Sequence, residues 1–415
     1  MVPKSMNKIF AYQMPTRIVY GPGSLKELPR ELKAAGVSKV WVVTDPGVQA
    51  AGLLDKVAGV LAEAGMGWGY FADVHRVATV QAARESYHRA REFGADGVVA
   101  LAGGSGLVIG KATGLLLGLG GDPYDWEDRS SIKRDAAPVV AIPTVAGSGA
   151  EVSQFMPLVD EERKVKLTVG NHYTFPRVAI LDPELLLTVP IHQATYSGID
   201  ALTHAIESYV TDLSTPVTDA MALAAMRILM QNLRPAIKTN DINAKYQCLM
   251  ASALANMACG NAKLGLVHGL ARNVQSLFEI PYGLTIGVFL PSVMEFNARA
   301  VPARFRDMAV AFGEPVDGLS DREAANKAVD CVKKLLVDLN FPRSFNPAVV
   351  DKHKIPLMAK MAIAGQYEKK RSLEELENMP EAGYAISPNI CRASYREIVE
   401  LYELSMTGWQ LPGED

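Results

Sequence analysis

Asp200 and His204 stand four residues apart in the run Gly198-Ile-Asp-Ala-Leu-Thr-His-Ala-Ile-Glu-Ser-Tyr209. The run reads as helix, and this spacing then projects both side chains from one face. A carboxylate and an imidazole aimed at the same point supply two ligands of a divalent metal site. Downstream, Gly265-Leu-Val-His-Gly-Leu-Ala-Arg-Asn-Val274 offers His268 as a third. Three protein ligands plus a water or a substrate oxygen make a workable catalytic metal site.

The elements that must position these residues change character near Leu186-Leu-Thr-Val-Pro190. Before that point strands and helices alternate. Lys39-Val-Trp-Val-Val-Thr44 is a short β-branched run of the kind a buried parallel strand requires. An Asp45-Pro-Gly turn follows, then a helical stretch from Gln49 to about Ala64. Trp68–Phe71, Gly97–Leu101 and Pro138–Ile142 read as further strands, with helices from about Val80 to Phe93 and from a glycine loop to about Leu117. Strands separated by helices predict βαβ units and a parallel sheet. Residues 1–187 are therefore expected to form a doubly wound, Rossmann-like α/β dinucleotide-binding domain.

From about Pro190 onward β-branched runs nearly vanish. Helical patterns cover Thr195–Asp212, Pro216–Asn232, Asn243–Ala258, Leu264–Phe278, Asp321–Leu339 and Ser394–Leu404. Residues 188–415 are expected to form an all-α domain that carries the metal and substrate site. A cleft between two such domains is a common place for a ligand pocket, and the active site is expected there.

The strand ending at Leu101 runs into Ala102-Gly-Gly-Ser-Gly-Leu-Val-Ile-Gly-Lys-Ala112. A strand, a glycine-rich turn and a helix start present backbone N–H groups and the positive end of a helix dipole to an anion. Gly103 and Gly104 let a phosphate approach the backbone, and Ser105 adds a hydroxyl donor. The pattern alone also fits a plain strand-to-helix turn. It fails the Gly-x-Gly-x-x-Gly fingerprint at Ile109, and it fails the ATP-type phosphate loop at Ser105 and Ala112. Asp45, at the end of an earlier strand, can accept hydrogen bonds from adenosine ribose hydroxyls and would repel a 2′-phosphate. It equally suits a turn before Pro46-Gly47.

The Asp200–Glu207 run, the His268 segment and the glycine loop together resemble the iron-containing alcohol dehydrogenase family, the group III dehydrogenases. The resemblance extends from Thr16-Arg-Ile-Val-Tyr-Gly-Pro-Gly-Ser-Leu-Lys-Glu-Leu28 to Ile398-Val-Glu-Leu-Tyr402. It implies a two-domain architecture like that of dehydroquinate synthase, with NAD and a divalent metal, iron or zinc, as cofactors. It also implies a hydride transfer between nicotinamide and a small alcohol, aldehyde or ketone. Ile142-Pro-Thr-Val-Ala-Gly-Ser-Gly-Ala-Glu-Val-Ser153 is similar to the family's Pro-Thr-Thr-Ala-Gly-Thr-Gly-Ser-Glu segment, which implies that Thr144 and Ser148 contact the cofactor. In Ala179-Ile-Leu-Asp-Pro-Glu-Leu185, Leu181 is implied to lie near the nicotinamide end. The family uses the aspartate at the Asp45 position to favour NAD over NADP.

The chain departs from the family pattern where the chemistry is concentrated. In the family the His268 segment continues with a histidine four residues on, beside the nicotinamide, and a metal-ligating histidine at fourteen. Here those positions hold Arg272 and Tyr282. Ala102 and Val108 replace a glycine and an aspartate of the family's glycine loop, while Lys111 is kept. His75-Arg-Val-Ala-Thr79 stands in place of a Pro-Asn-Pro stretch, and Ser387-Pro-Asn-Ile-Cys-Arg392 in place of an Asn-Pro-Arg segment.

Helical spacing puts Arg272 on the face of His268. A guanidinium there is a permanent cation that weakens metal affinity. It could hold a carboxylate, phosphonate or sulfonate in bidentate fashion, or polarise a carbonyl in place of a metal. It could also pair with Asp200 and His204 with no metal bound, or with Glu279. Tyr282 could act as a hydroxyl donor or, if ionised, as an oxygen ligand. Three-ligand metal sites occur among the glycerol dehydrogenases of this superfamily, and metal-free chemistry among its maleylacetate reductases.

Composition narrows the remaining choices. A formal charge of −3 without a basic cluster argues against nucleic acid or an anionic membrane as the main partner. Cys248, Cys259, Cys331 and Cys391 are few and scattered, which suits a reducing cytoplasm better than a disulfide scaffold. The opening Met-Val-Pro-Lys-Ser-Met-Asn-Lys-Ile-Phe lacks a long apolar core, so no secretory signal is expected. The reading that follows is an NAD-dependent alcohol dehydrogenase or aldehyde reductase, metal-assisted, cytoplasmic and, by resemblance, a homo-oligomer. Its alternatives are a metal-independent reductase of an anionic carbonyl anchored by Arg272, and a degenerate non-catalytic paralogue.

Overall fold

The computed structural model describes residues 9–75, 77–163, 165–365 and 371–414. The first eight residues of the opening segment, and Arg76 of the His75–Thr79 stretch, lie outside them. The chain separates into two compact units, Gln13–Pro190 and a second made of Ile191–Asp415 with the segment before Gln13.

The first unit is built on a parallel sheet. Its strands are β1 (Arg17–Tyr20), β2 (Lys39–Val43), β3 (Gly67–Phe71), β4 (Gly97–Ala102), β5 (Val139–Pro143) and β8 (Val178–Leu181), in the order β1-β8-β5-β4-β2-β3. A separate antiparallel hairpin joins β6 (Met156–Asp160) and β7 (Val165–Val169). Every residue of β4 and β5 is buried, as the unbroken apolar runs Gly-Val-Val-Ala-Leu-Ala and Val-Val-Ala-Ile-Pro require of strands covered on both faces. The intervening helices are α1 (Leu28–Ala34), α2 (Pro46–Ala50), α3 (Leu53–Glu63), α4 (Val80–Phe93) and α5 (Gly104–Leu119).

The stretch read as one helix from Gln49 is two, because Gly52 adopts φ +73° and turns the chain between α2 and α3. From β2 the chain winds outward to β3, and from β4 it winds the other way, to β5 and β8. The order therefore reverses between β2 and β4. In an open parallel sheet, ligands bind beyond the carboxyl ends of the strands at such a point. Asp45 follows β2 and Gly103 follows β4.

The second unit is helical. It comprises α6 (Ile191–Tyr209), α7 (Pro216–Lys238), α8 (Ile242–Ala262), α9 (Leu266–Leu277), α10 (Tyr282–Ala300), α11 (Pro302–Phe312), α12 (Asp321–Asp338), α13 (Ile355–Ala364), α14 (Leu373–Glu377) and α15 (Tyr395–Thr407). Four helices, α10, α11, α13 and α14, are not evident from the sequence pattern. In α10 an internal Pro291 interrupts the periodicity that would reveal it, and flanking helices hold it regardless. No helix among the described residues is long and apolar enough to cross a membrane.

Candidate functional site

The side-chain cluster of the helical unit grows from α6. Asp200, His204 and Glu207 follow one another at helical spacing and all three are buried. Glu207 reaches the start of α9. Its Oε2 accepts from the Gly265 amide at 3.0 Å, and its Oε1 accepts from the amides of Val267 and His268. No side chain of α9 caps those orphan amides, so the carboxylate of α6 does, at the positive end of the helix dipole. Gly265 leaves the room: a Cβ there would come within 3.1 Å of Glu207 Oε1.

The same carboxylate orients His268. Nδ1 of His268 lies 2.6 Å from Glu207 Oε2. A carboxylate only accepts, so Nδ1–H donates, and the lone pair of neutral His268 sits on Nε2. That Nε2 lies 3.3 Å from Asp200 Oδ1, yet neither atom has a hydrogen-bond partner. His204 stacks on His268 with ring centroids 4.8 Å apart and planes at 17°, and its Nε2 is 3.7 Å from the same oxygen. On its far side, His204 Nδ1 meets the Asn256 side-chain nitrogen of α8 at 3.1 Å.

Asp200, His204 and His268 thus offer three ligand atoms within 4.8 Å of one another. Ligands about 2.1 Å from a tetrahedral metal lie roughly 3.4 Å apart, which is the scale of the 3.3 and 3.7 Å separations found. Two buried acceptors facing each other without a proton between them are costly unless a cation joins them. The donor set therefore fits a divalent metal. The competing arrangement is a protonated His268 paired with Asp200. Burial works against both charges, but Glu207 and Asp200 together lift the His268 pKa above its ordinary value, and His204 and His268 hold the Asp200 carboxyl below its own.

Arg272 and Tyr282 adjoin the cluster. Arg272 is exposed and lines the same open pocket as His268, with Gly269, Asn273, Met361 and Ser387. The Tyr282 ring packs edge-on against His268, with centroids 6.0 Å apart. The Arg272 guanidinium is close enough to act on the Tyr282 hydroxyl electrostatically. Burial pushes the Tyr282 phenol well above its usual range, with Arg272 opposing. Of the two roles open to this tyrosine, that favours the neutral hydroxyl. Gly283 lets α10 begin tight against α6, where a Cβ would stand 2.7 Å from the Tyr196 carbonyl oxygen.

In the α/β unit the two loops singled out by sequence come together. Gly103 is the N-cap of α5 and has no side chain to cap the first amides of that helix, the kind of helix start that suits an anion. A Cβ on Gly104 would lie 3.0 Å from Ser148 Cβ and 3.1 Å from its Oγ, so the loop after β5 closes directly over the loop after β4. Thr144 is buried at the end of β5 and Leu181 is buried on β8. Ser105 occupies the first turn of α5. One Asp45 oxygen accepts from the Val48 amide at 2.9 Å and caps α2; the turn role is realised, and the second oxygen remains for another partner. Lys111 is buried and donates to the carbonyls of Ser153 (2.9 Å) and Phe155 (2.8 Å), so it braces the strand following the Ser148 loop.

Sequence reasoning passed over Glu207 and Asn256. Glu207 carried a signal, since it continues the Asp200–His204 face by one more helical step. Asn256 carried none, because its part depends on how α8 packs on α6.

Residues 15–183 match the family model described as iron-containing alcohol dehydrogenase, and residues 194–378 match that of the Fe-containing alcohol dehydrogenase family, C-terminal. The chain is 33% identical to the 1,3-propanediol dehydrogenase of Klebsiella pneumoniae over 359 residues, covering 86% of this chain and 93% of that protein. It is 34% identical to the NAD-dependent methanol dehydrogenase of Bacillus methanolicus over 350 residues, covering 84% and 92%. The solved structure of a 1,3-propanediol oxidoreductase aligns with a TM-score of 0.87 at 31% identity, covering 96% of this chain and 100% of that one. Two family models spanning most of the sequence and relatives of this similarity lead to one conclusion: the chain belongs to the iron-containing alcohol dehydrogenase family.

Proposed function

We propose that this protein is an NAD-dependent oxidoreductase that moves a hydride between nicotinamide and a small alcohol, aldehyde or ketone, with a divalent metal held by Asp200, His204 and His268. The observation that carries the metal is the facing pair of unpartnered acceptors, Asp200 Oδ1 and His268 Nε2, the second of them oriented by Glu207. A bound metal would polarise the substrate oxygen as a Lewis acid. Gly103, Gly104, Ser105, Thr144 and Ser148 would hold the cofactor phosphates and ribose, with Asp45 on the adenosine ribose and Leu181 near the nicotinamide. Tyr282, as a neutral phenol beside His268, would donate to the substrate oxygen and relay its proton to water.

A second reading concerns the substrate. Arg272 presents a guanidinium to the pocket that His268 also lines, which favours an aldehyde or ketone bearing a carboxylate or sulfonate. In that case the cation could polarise the carbonyl without a metal. The proposal further includes a cytoplasmic homo-oligomer, to be tested by sizing the purified protein. NADH oxidation with matched neutral and anionic aldehydes, on zinc- or iron-loaded against chelated protein, tests the reading. Activity lost on chelation supports the metal route. Activity that survives chelation and prefers the anionic aldehydes transfers the electrophilic role to Arg272.

A further inference from the structure

Asn256 is buried on α8 between two groups that take opposite ends of its carboxamide. Its Nδ2 lies 3.1 Å from His204 Nδ1, and its Oδ1 accepts from the Cys259 thiol at 3.5 Å. An amide NH2 can only donate, so in this arrangement His204 Nδ1 must accept. The ring is then neutral, with its proton on Nε2, the nitrogen that faces Asp200 Oδ1 at 3.7 Å. A metal held by His204 through Nε2 needs the opposite: the lone pair on Nε2 and the proton on Nδ1. His268 has no such conflict, because Glu207 fixes its proton on Nδ1.

We infer that Asn256 is a two-position positioning residue whose carboxamide turns over when metal binds at Asp200, His204 and His268. The inference rests on the metal reading above. A half-turn exchanges oxygen and nitrogen within the same space. Oδ1 then accepts from His204 Nδ1–H, and Nδ2 donates to the Cys259 sulfur. The Cys259 thiol, held protonated by burial, keeps a second acceptor in the Asn256 carbonyl oxygen at 3.6 Å. No buried polar group loses its partner in either position, and the imidazole proton only moves from Nε2 to Nδ1. The two histidines of the cluster therefore differ. One is committed to metal binding by a carboxylate, and the other is released to it by an amide that serves both the metal-free and the metal-bound forms.

The test is nitrogen NMR of the full protein, labelled at its seven histidines, before and after titration with zinc followed by elemental analysis. The expected result is that metal-free His204 carries its proton on Nε2 and zinc-loaded His204 on Nδ1, while His268 keeps Nδ1–H throughout. In Asn256→Asp, whose carboxylate only accepts, metal-free His204 should already carry Nδ1–H. Zinc uptake with His204 in the Nδ1–H form before and after loading overturns the switch and leaves the metal reading standing. Failure of zinc to bind overturns the metal reading, and the switch with it. Should Asn256→Asp fail to fold, the wild-type spectra decide the question alone.

Discussion

The cradle at the end of β4 and the cluster on α6 and α9 are made of different material. The cradle is backbone: the first amides of α5, two glycines, and a neighbouring loop that touches Gly104 through Ser148. The cluster is side chain: three ligand atoms, two of them on imidazoles held by Glu207 and Asn256. A site made of backbone keeps its shape while residues around it change, so Ala102 and Val108 can stand where the family has glycine and aspartate. A site made of side chains alters with each replacement, so under the proposed function Arg272 and Tyr282 would bear directly on the reaction. Substitutions at the cluster should change the chemistry and those at the cradle the affinity.

The largest effect is expected from Asp200→Ala. Loss of the carboxylate shared by both histidines should lower kcat/KM by several kcal/mol, on the order of 10³-fold, with NADH affinity unchanged, as steady-state kinetics and cofactor titration would reveal. Gly104→Ala should do the converse. Its Cβ would press on Ser148, and NADH binding followed by fluorescence should weaken roughly tenfold, with zinc affinity intact.

Glu207→Gln separates orientation from charge at the cluster. An amide in place of the carboxylate no longer fixes Nδ1–H on His268, and zinc affinity by chelator competition should fall about 10–100-fold. The same assay has a defined pH dependence. The metal-free His268 pKa is raised, so protons compete with metal from above the ordinary histidine range downward; affinity should be full at alkaline pH and weaken on acidification, approaching about tenfold per pH unit below that pKa. Arg272→Gln should have the smallest reach: KM for anionic aldehydes rising about tenfold, with neutral aldehydes little affected, in matched substrate pairs.

The two regions also differ in how much of them the sequence discloses. The parallel sheet was legible because β4 and β5 are unbroken apolar runs between helical stretches, a pattern tied to burial on both faces. The edge strand β1 was not, since its four residues are half exposed and lack that pattern. Asp200 and His204 were legible from one helical interval, and His268 from its resemblance to a known segment. The contact between Gly104 and Ser148, the capping of α9 by Glu207 and the seating of Asn256 against His204 join residues 44, 58 and 52 positions apart. Such contacts follow from packing, which no local pattern records.

Titrating chelated protein with zinc or iron while following NADH oxidation with a small aldehyde tests the central claim most directly. The account predicts activity that rises to a plateau at one metal per protomer, and no such rise in Asp200→Ala. Chelated protein as active as the loaded form, or an Asp200→Ala protein that binds the metal equally well, would contradict it.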